Sequence, residues 1–209
     1  LKKKYKFYLL EDACHALGSK YIYNGRVHNV GSCIHSDICV FSLHPLKTIT
    51  SGEGGIVTTN NLNIFNRLMK LKNSGIDRKN YNKKINFPHW LYDVKYPGLN
   101  YRLSDINCSL GYSQLKKINK FISKRKKIAK KYIKFFNKFS NIINFRSFEG
   151  GKNSSWHLFI ILINFKKINK KKEDLLNYLL KNNIVAQQHY MPIYKYSFYK
   201  SLRKKKFDG

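Results

Sequence analysis

The 209-residue chain is 43% hydrophobic, enough for one packed domain with a small second unit, and this excludes a disordered chain. Its formal charge of +30 would ordinarily raise nucleic acid as a partner. Here lysine comes with heavy use of Asn, Ile, Tyr and Phe throughout, and runs such as Lys124-Arg125-Lys126-Lys127 and Lys170-Lys171-Lys172 read as solvated faces, so no nucleic-acid partner is expected.

The longest apolar run, Trp156 to Ile163, is far short of the roughly 20 residues that span a bilayer and reads as a buried strand. No membrane association is expected, and no secretion signal opens the sequence, which points to the cytoplasm. The four cysteines, Cys14, Cys33, Cys39 and Cys108, have neither CxxC nor metal-ligand spacing, so they read as reduced structural thiols, with no metal site. The sequence starts at Leu1 in what reads as a strand approach and stops at Phe207-Asp208-Gly209 in a lysine-rich stretch, as if cut from something longer.

In chain order, Tyr5 to Leu10 predicts a buried strand that delivers the carboxylates Glu11 and Asp12 at its C-terminal end, the end that faces ligand in open α/β sheets. A second strand is expected over Asp37 to Leu43, broken at His44-Pro45 because the residue before proline is pushed out of helical geometry. Lys47 then falls in the loop past a strand end. The glycine-rich turn Ser51-Gly52-Glu53-Gly54-Gly55 leads into a strand at Ile56 to Thr59, and Leu62 to Leu71 has helical apolar spacing. Residues 76–99 read as a long loop. Ser104 is expected to cap one long helix running past Phe135. A strand around Leu158 to Phe165, a helix over Lys172 to Lys181 and a strand over Ile184 to Tyr190 complete a small α/β unit.

A strand-end carboxylate followed by a loop lysine is a known chemical pairing. A desolvated lysine amine can form an imine, and a carboxylate can keep a pyridinium nitrogen protonated. By spacing alone, Asp12 and Lys47 are read as easily as a capping aspartate and a surface lysine.

The surrounding residues carry more. Glu11-Asp12-Ala13-Cys14-His15-Ala16-Leu17-Gly18 and Phe41-Ser42-Leu43-His44-Pro45-Leu46-Lys47 through Glu53-Gly54-Gly55 closely resemble the two signature blocks of the DegT/DnrJ/EryC1/StrS family of sugar aminotransferases. Leu99 to Ile106, Trp156 to Phe159 and His189 to Tyr194 resemble its later blocks in the same order. Within the family, His44 to Thr50, Asn73 to Ile76 and His189 to Tyr196 are most similar to the pseudaminic acid branch.

The resemblance implies a fold type I pyridoxal-phosphate-dependent transferase, aspartate aminotransferase-like and α/β. Residues 1–112 would be part of the large domain, and 113–209 the interdomain helix and a truncated small domain. It implies amino transfer, from L-glutamate, to the 4-keto carbon of a UDP-linked 2-acetamido-2,6-dideoxy-hexos-4-ulose, or to another nucleotide-linked keto sugar. A non-catalytic regulatory homologue is the contrasting reading, and the retained Lys47 argues against it. Lys47 would hold the cofactor as an imine and move the proton, Asp12 would pair with the pyridinium nitrogen, and Ser42 would contact the phosphate. His15 would lie beside the cofactor's 3-oxygen or simply pack at a helix start. Asn100 would reach across a homodimer to the phosphate. Arg102 would hold substrate or brace its loop, and His189 and Tyr190 would approach the nucleotide sugar or merely end a strand. The family's Gly-Thr phosphate turn and ring-stacking aromatic precede the aspartate, so the 209 residues alone are expected to be inactive.

Overall fold

The structure is a computed structural model that describes residues 1–77, 90–145 and 152–201. Positions 78–89 of the expected long loop and the chain end Phe207 to Gly209 lie outside the described residues. The chain divides into two compact units, Leu1–Leu162 and Ile163–Gly209.

The first unit is organised by a three-stranded sheet in the order β1 (Leu10–Asp12), β3 (Arg26–Asn29) being excluded, then β4 (Ile38–Ser42) and β5 (Gly55–Thr58). β1 runs parallel to β4, with Asp12 opposite Val40, and β5 returns antiparallel to β4, with Gly55 opposite Ser42. Side chains alternate across a strand, so Cys39 and Phe41 of β4 point to one face, where they are buried with Ala13 and Cys33 as a small core. Val30, Ala16 and Leu17 pack against it. Burial and the nearby Glu11 charge push the Cys39 thiol up to about 12. All four cysteines are free thiols.

The expected strand over Tyr5 to Leu10 is corrected. Lys2–Tyr5 form a short helix, α1, ended by Lys6 in the left-handed region at φ 52°, and β1 begins only at Leu10. The apolar residues that suggested burial face solvent, with Tyr8 81% and Leu10 57% exposed. Asp37 fixes this entry, accepting from Leu9 N at 2.8 Å and pairing with Lys2 Nζ at 2.8 Å.

A hairpin of β2 (Lys20–Tyr23) with β3 was not expected, although its signal was present. Asn24 and Gly25 both take positive φ, 48° and 72°, the geometry a two-residue hairpin turn needs. α2 (Leu62–Leu71) appears as expected, its first turn capped by the Asn61 side chain, which accepts from Asn63 N and Ile64 N. Within the expected 76–99 loop, β6 (Ile76–Asp77) and β7 (Asp93–Val94) pair antiparallel, and Lys70 Nζ is 2.6 Å from the buried Asp77 carboxylate.

Ser104 does cap a helix, accepting from Asn107 N, but the single long helix is two. α3 (Asp105–Leu115) stops and α4 (Ile118–Phe136) starts after Lys117, which sits at φ −100°, ψ −1°, a bridge geometry that interrupts the hydrogen-bond ladder. Both helices carry apolar residues at helical spacing, which hides the break from periodicity. Ile122 and Ala129 are the buried residues of α4, and Tyr132 and Phe136 near its C-terminal end join Phe145, Trp156 and Phe159 in an aromatic cluster with ring centroids 5.1 to 6.2 Å apart. A 3₁₀ turn (Asn137–Phe139) follows, and β8 (Ile143–Phe145) pairs with β9 (Ile161–Ile163). The strand expected over Leu158 to Phe165 is thus shortened to three residues, because Asn164 caps a helical turn, α5 (Phe165–Ile168).

In the second unit α6 (Lys172–Lys181) matches its expected bounds, with Glu173 and Asp174 in its first turn, where the helix dipole favours acids. The strand expected over Ile184 to Tyr190 is absent. These residues take no ladder partner, and Val185 is 77% exposed. A 3₁₀ turn (Ile193–Lys195) and α7 (Ser197–Ser201) follow. Among the described residues, no helix is long and apolar enough to cross a membrane, and no group of His, Cys, Asp and Glu could hold a metal ion.

Candidate active site

The site is built on the C-terminal ends of β1 and β4. Asp12 is the last residue of β1, and its carboxylate accepts from Cys14 N at 3.0 Å, the local turn an aspartate makes with the amide two residues on. The Asp12 carboxyl is held below the usual carboxylate range by hydrogen bonding from the Cys14 side chain and backbone, which outweighs the opposing effect of burial, with lesser help from the charges of His15 and Lys47. The converse appears at Cys14, whose thiol is raised chiefly by its bond to Asp12 and by burial. Asp12 is therefore a fixed anion at a strand end, and His15 and Lys47 are both near enough to act on it.

Ser42 closes β4, its hydroxyl accepting from His44 N at 3.3 Å. His44 in turn accepts at Nδ1 from Leu46 N at 3.2 Å, and Lys47 N donates to His44 O at 2.9 Å, so the segment from Ser42 to Lys47 is one hydrogen-bonded turn. Beyond Lys47 the chain dives inward, with Thr48 at 6%, Ile49 at 2% and Ser51 at 0% exposure. Leu43 fastens the loop from both backbone atoms. Its N donates to Gly54 O at 2.8 Å, and its carbonyl accepts from Ser51 N at 3.1 Å and Thr50 Oγ1 at 2.9 Å. Lys47, half-buried, is thereby held between a rigid turn and a buried anchor.

His15 is exposed, its ring 4.5 Å from that of His157. Asp12, His15, Ser42 and Lys47 are thus gathered in one region of the first unit. Asn100 and Arg102 form a separate group around Asn73: Asn100 bridges Asn73 through the backbone, and Arg102 Nη1 donates to Asn73 Oδ1 at 2.6 Å. His189 and Tyr190 belong to the second unit, stacked on each other at 4.6 Å and exposed.

Two positions escaped the sequence reading. Cys14 hydrogen-bonds the Asp12 carboxylate, and the turn that an aspartate forms with the second following amide was the available signal. Asn107 of α3 donates its side-chain amide to Ser51 O in the loop after Lys47, for which the sequence carried no signal beyond a polar residue near a helix start.

Residues 1–208 match the sequence pattern of the DegT/DnrJ/EryC1/StrS aminotransferase family. The chain belongs to that family. Over 204 residues it is 40% identical to a Campylobacter jejuni UDP-4-amino-4,6-dideoxy-N-acetyl-beta-L-altrosamine transaminase, covering 97% of this chain and 50% of that protein. A Helicobacter pylori protein of the same name is 36% identical over 202 residues, again 97% of this chain and 50% of that one. Among solved structures, Helicobacter pylori PseC, an aminotransferase involved in pseudoaminic acid biosynthesis, superposes with a TM-score of 0.79 at 33% identity, over 98% of this chain and 51% of that chain. The chain spans about half the length of the curated relatives it matches. The expected α/β transferase fold is the fold these members share.

Proposed function

We propose that the chain supplies the lysine-bearing half of a pyridoxal-phosphate-dependent aminotransferase that acts on a UDP-linked 4-keto-6-deoxy sugar, with L-glutamate as amino donor. The carrying observation is that Asp12 ends β1 while the hydrogen-bonded turn bearing Lys47 leaves the same end of β4, the parallel neighbour of β1. A solved family member from Streptococcus pneumoniae, 25% identical, has been obtained in PLP and PMP forms, and the C. jejuni and H. pylori relatives are named as transaminases of an amino-UDP-sugar.

The residues present fit the cofactor. Asp12 is an acceptor kept ionised, suited to a ring N–H, and Ser42 offers a hydroxyl at the start of the lysine turn. Bound there, pyridoxal phosphate would supply the electron sink for exchanging an amino group and a proton. Asp12 would hold the proton on the ring nitrogen, and Lys47 Nζ would be the attachment point and would carry a proton to and from the reacting sugar carbon. His15 would border the ring. Asn100 and Arg102 would serve the phosphate and substrate of a partner subunit in a cytosolic homodimer, and His189 and Tyr190 the nucleotide sugar. Residues 1–112 would form part of the large domain, and 113–209 the connecting helix and small domain.

The test is borohydride reduction of the cofactor-loaded, full-length protein followed by peptide mapping. The cofactor should be fixed on the peptide carrying Lys47, and Lys47→Ala should abolish both the label and amino transfer. A label on another lysine, or a fully active Lys47→Ala, would overturn the assignment.

A further inference from the structure

Trp156 and His157 take no part in the function proposed above, yet the chain holds them under strain. Trp156 sits in the left-handed region at φ 50°, a conformation that a bulky side chain rarely adopts and that persists only where the surroundings enforce it. Here they do so from two sides. Trp156 is 7% exposed, its ring stacks on Phe159 at 5.6 Å, and its N donates to Ser154 Oγ at 3.1 Å. From α4, Arg125 Nη1 donates to the carbonyls of Trp156 at 3.4 Å and His157 at 3.1 Å.

The same segment is pinned to the turn that carries His15. Ser19 Oγ donates to Ser155 Oγ at 3.0 Å and accepts from Ser155 N at 2.9 Å, while Lys20 N donates to Asn153 O at 2.8 Å. Ser155 is fully buried and Ser19 nearly so, and the join closes one wall of the first unit. The turn itself leaves β1 after Asp12 and is wound by Ala16 N donating to Ala13 O and Ser19 N donating to Ala16 O, each at 2.8 Å. Ala13 is buried in the core, and His15 stands on the exposed side of the turn.

Both sets of tethers meet at one contact. The ring of the half-buried His157 lies 4.5 Å from the ring of His15, tilted by 50°, within the range of aromatic pairs. An exposed side chain ordinarily samples several rotamers, and a ligand that needs one of them bears the entropic cost of selecting it. A ring backed by another whose own backbone is fixed has lost much of that freedom before any ligand arrives. The strained backbone at Trp156 and the bonds from Arg125 and Ser19 thus hold His157 at the back of His15.

We propose that His157 is a positioning residue of the Lys47 site, its ring backing that of His15 and fixing the orientation in which His15 meets the pyridine ring of the cofactor. The inference rests on the function proposed above, in which His15 borders that ring. The test is a double-mutant cycle read as the affinity of the cofactor-free, full-length protein for pyridoxal phosphate, by equilibrium dialysis. His157→Ala should weaken binding by about threefold or more, and His15→Ala by at least as much. The double variant His15→Ala/His157→Ala should bind no more weakly than His15→Ala alone, because His157 acts through His15. His157→Phe, which keeps a ring at the contact, should recover most of the affinity. His157→Gln, polar but ringless, should not, and it takes the place of alanine in the cycle if that variant fails to fold. Losses that add would mark a general structural role and overturn the proposal. So would parent-like affinity in His157→Ala or in His15→Ala. Borohydride labelling separates the two readings: a cofactor fixed on Lys47 together with additive losses removes only the role of His157, whereas a cofactor fixed on another lysine removes both.

Discussion

The side-chain amide of Asn107 donates to the carbonyl of Ser51, tying the first turns of α3 to the loop that follows Lys47. Ser51 is fully buried, so removing that donor leaves a buried carbonyl short of a partner. Asn107→Ala should lower stability by about 1–3 kcal/mol, read from the urea unfolding midpoint. It should also lower kcat more than a distant surface change of equal cost, because the lysine loop loses its tether. An unchanged midpoint would show that the bond carries no weight.

Asp12→Asn keeps the size of the side chain and the bond from Cys14 N but removes the anion. Cofactor loading should survive, while amino transfer should slow by about a hundredfold or more, because the ring proton is no longer held. Single-turnover kinetics on the loaded protein separates the two. Near-normal turnover would remove Asp12 from the reaction.

Asp37 gives a pH signature. Its carboxyl is held below the usual range, first by Lys2 and then by Leu9 N. A carboxylate depressed in the folded state contributes stability that is present above its unfolded pKa of about 3.9 and is lost as pH falls through the lower, folded value. Asp37→Asn should therefore be less stable than the parent near pH 7, with the gap closing as the pH is taken below 4 (roughly, from the unfolded value). Unfolding midpoints across that range test it, and a gap independent of pH would contradict the ion pair.

Gly75 is at φ +74°, and a Cβ there would fall 1.8 Å from Tyr96 O, a backbone atom that no rotamer change can move. Gly75→Ala should cost about 2 kcal/mol or more. It should also disturb the neighbouring Asn73–Asn100 bridge, visible as faster amide exchange at Ser74 and Tyr101. A thermally unperturbed variant would contradict this packing.

Strand ends were legible in the sequence, whereas the roles of Asp12 and Lys47 came only from the family resemblance. The stops at Asp12 and at His44-Pro45 marked the ends of β1 and β4, and Ser104 marked the start of α3. The failures share a cause: apolar composition was taken as burial. Tyr8, Leu10 and Val185 are all largely exposed, and neither Tyr5 to Tyr8 nor Ile184 to Tyr190 forms a ladder. Pairing depends on a neighbour that local pattern does not contain. Lys117 failed differently, since a bridge-region residue between two helices of compatible spacing leaves the periodicity intact. The partners of Arg125 were invisible because they are backbone carbonyls, which residue type does not mark.

The buried hydroxyl contact of Ser19 with Ser155 joins positions 136 residues apart. During synthesis, the residues around Ser19 leave the ribosome long before Ser155 exists, so this wall of the first unit cannot close until nearly its whole length has been made. Closing so long a loop carries a large entropic cost, and contacts of this separation slow folding. Until then the hairpin must stand on its own Asn24-Gly25 turn, and the completion of the unit is timed by the arrival of Ser155.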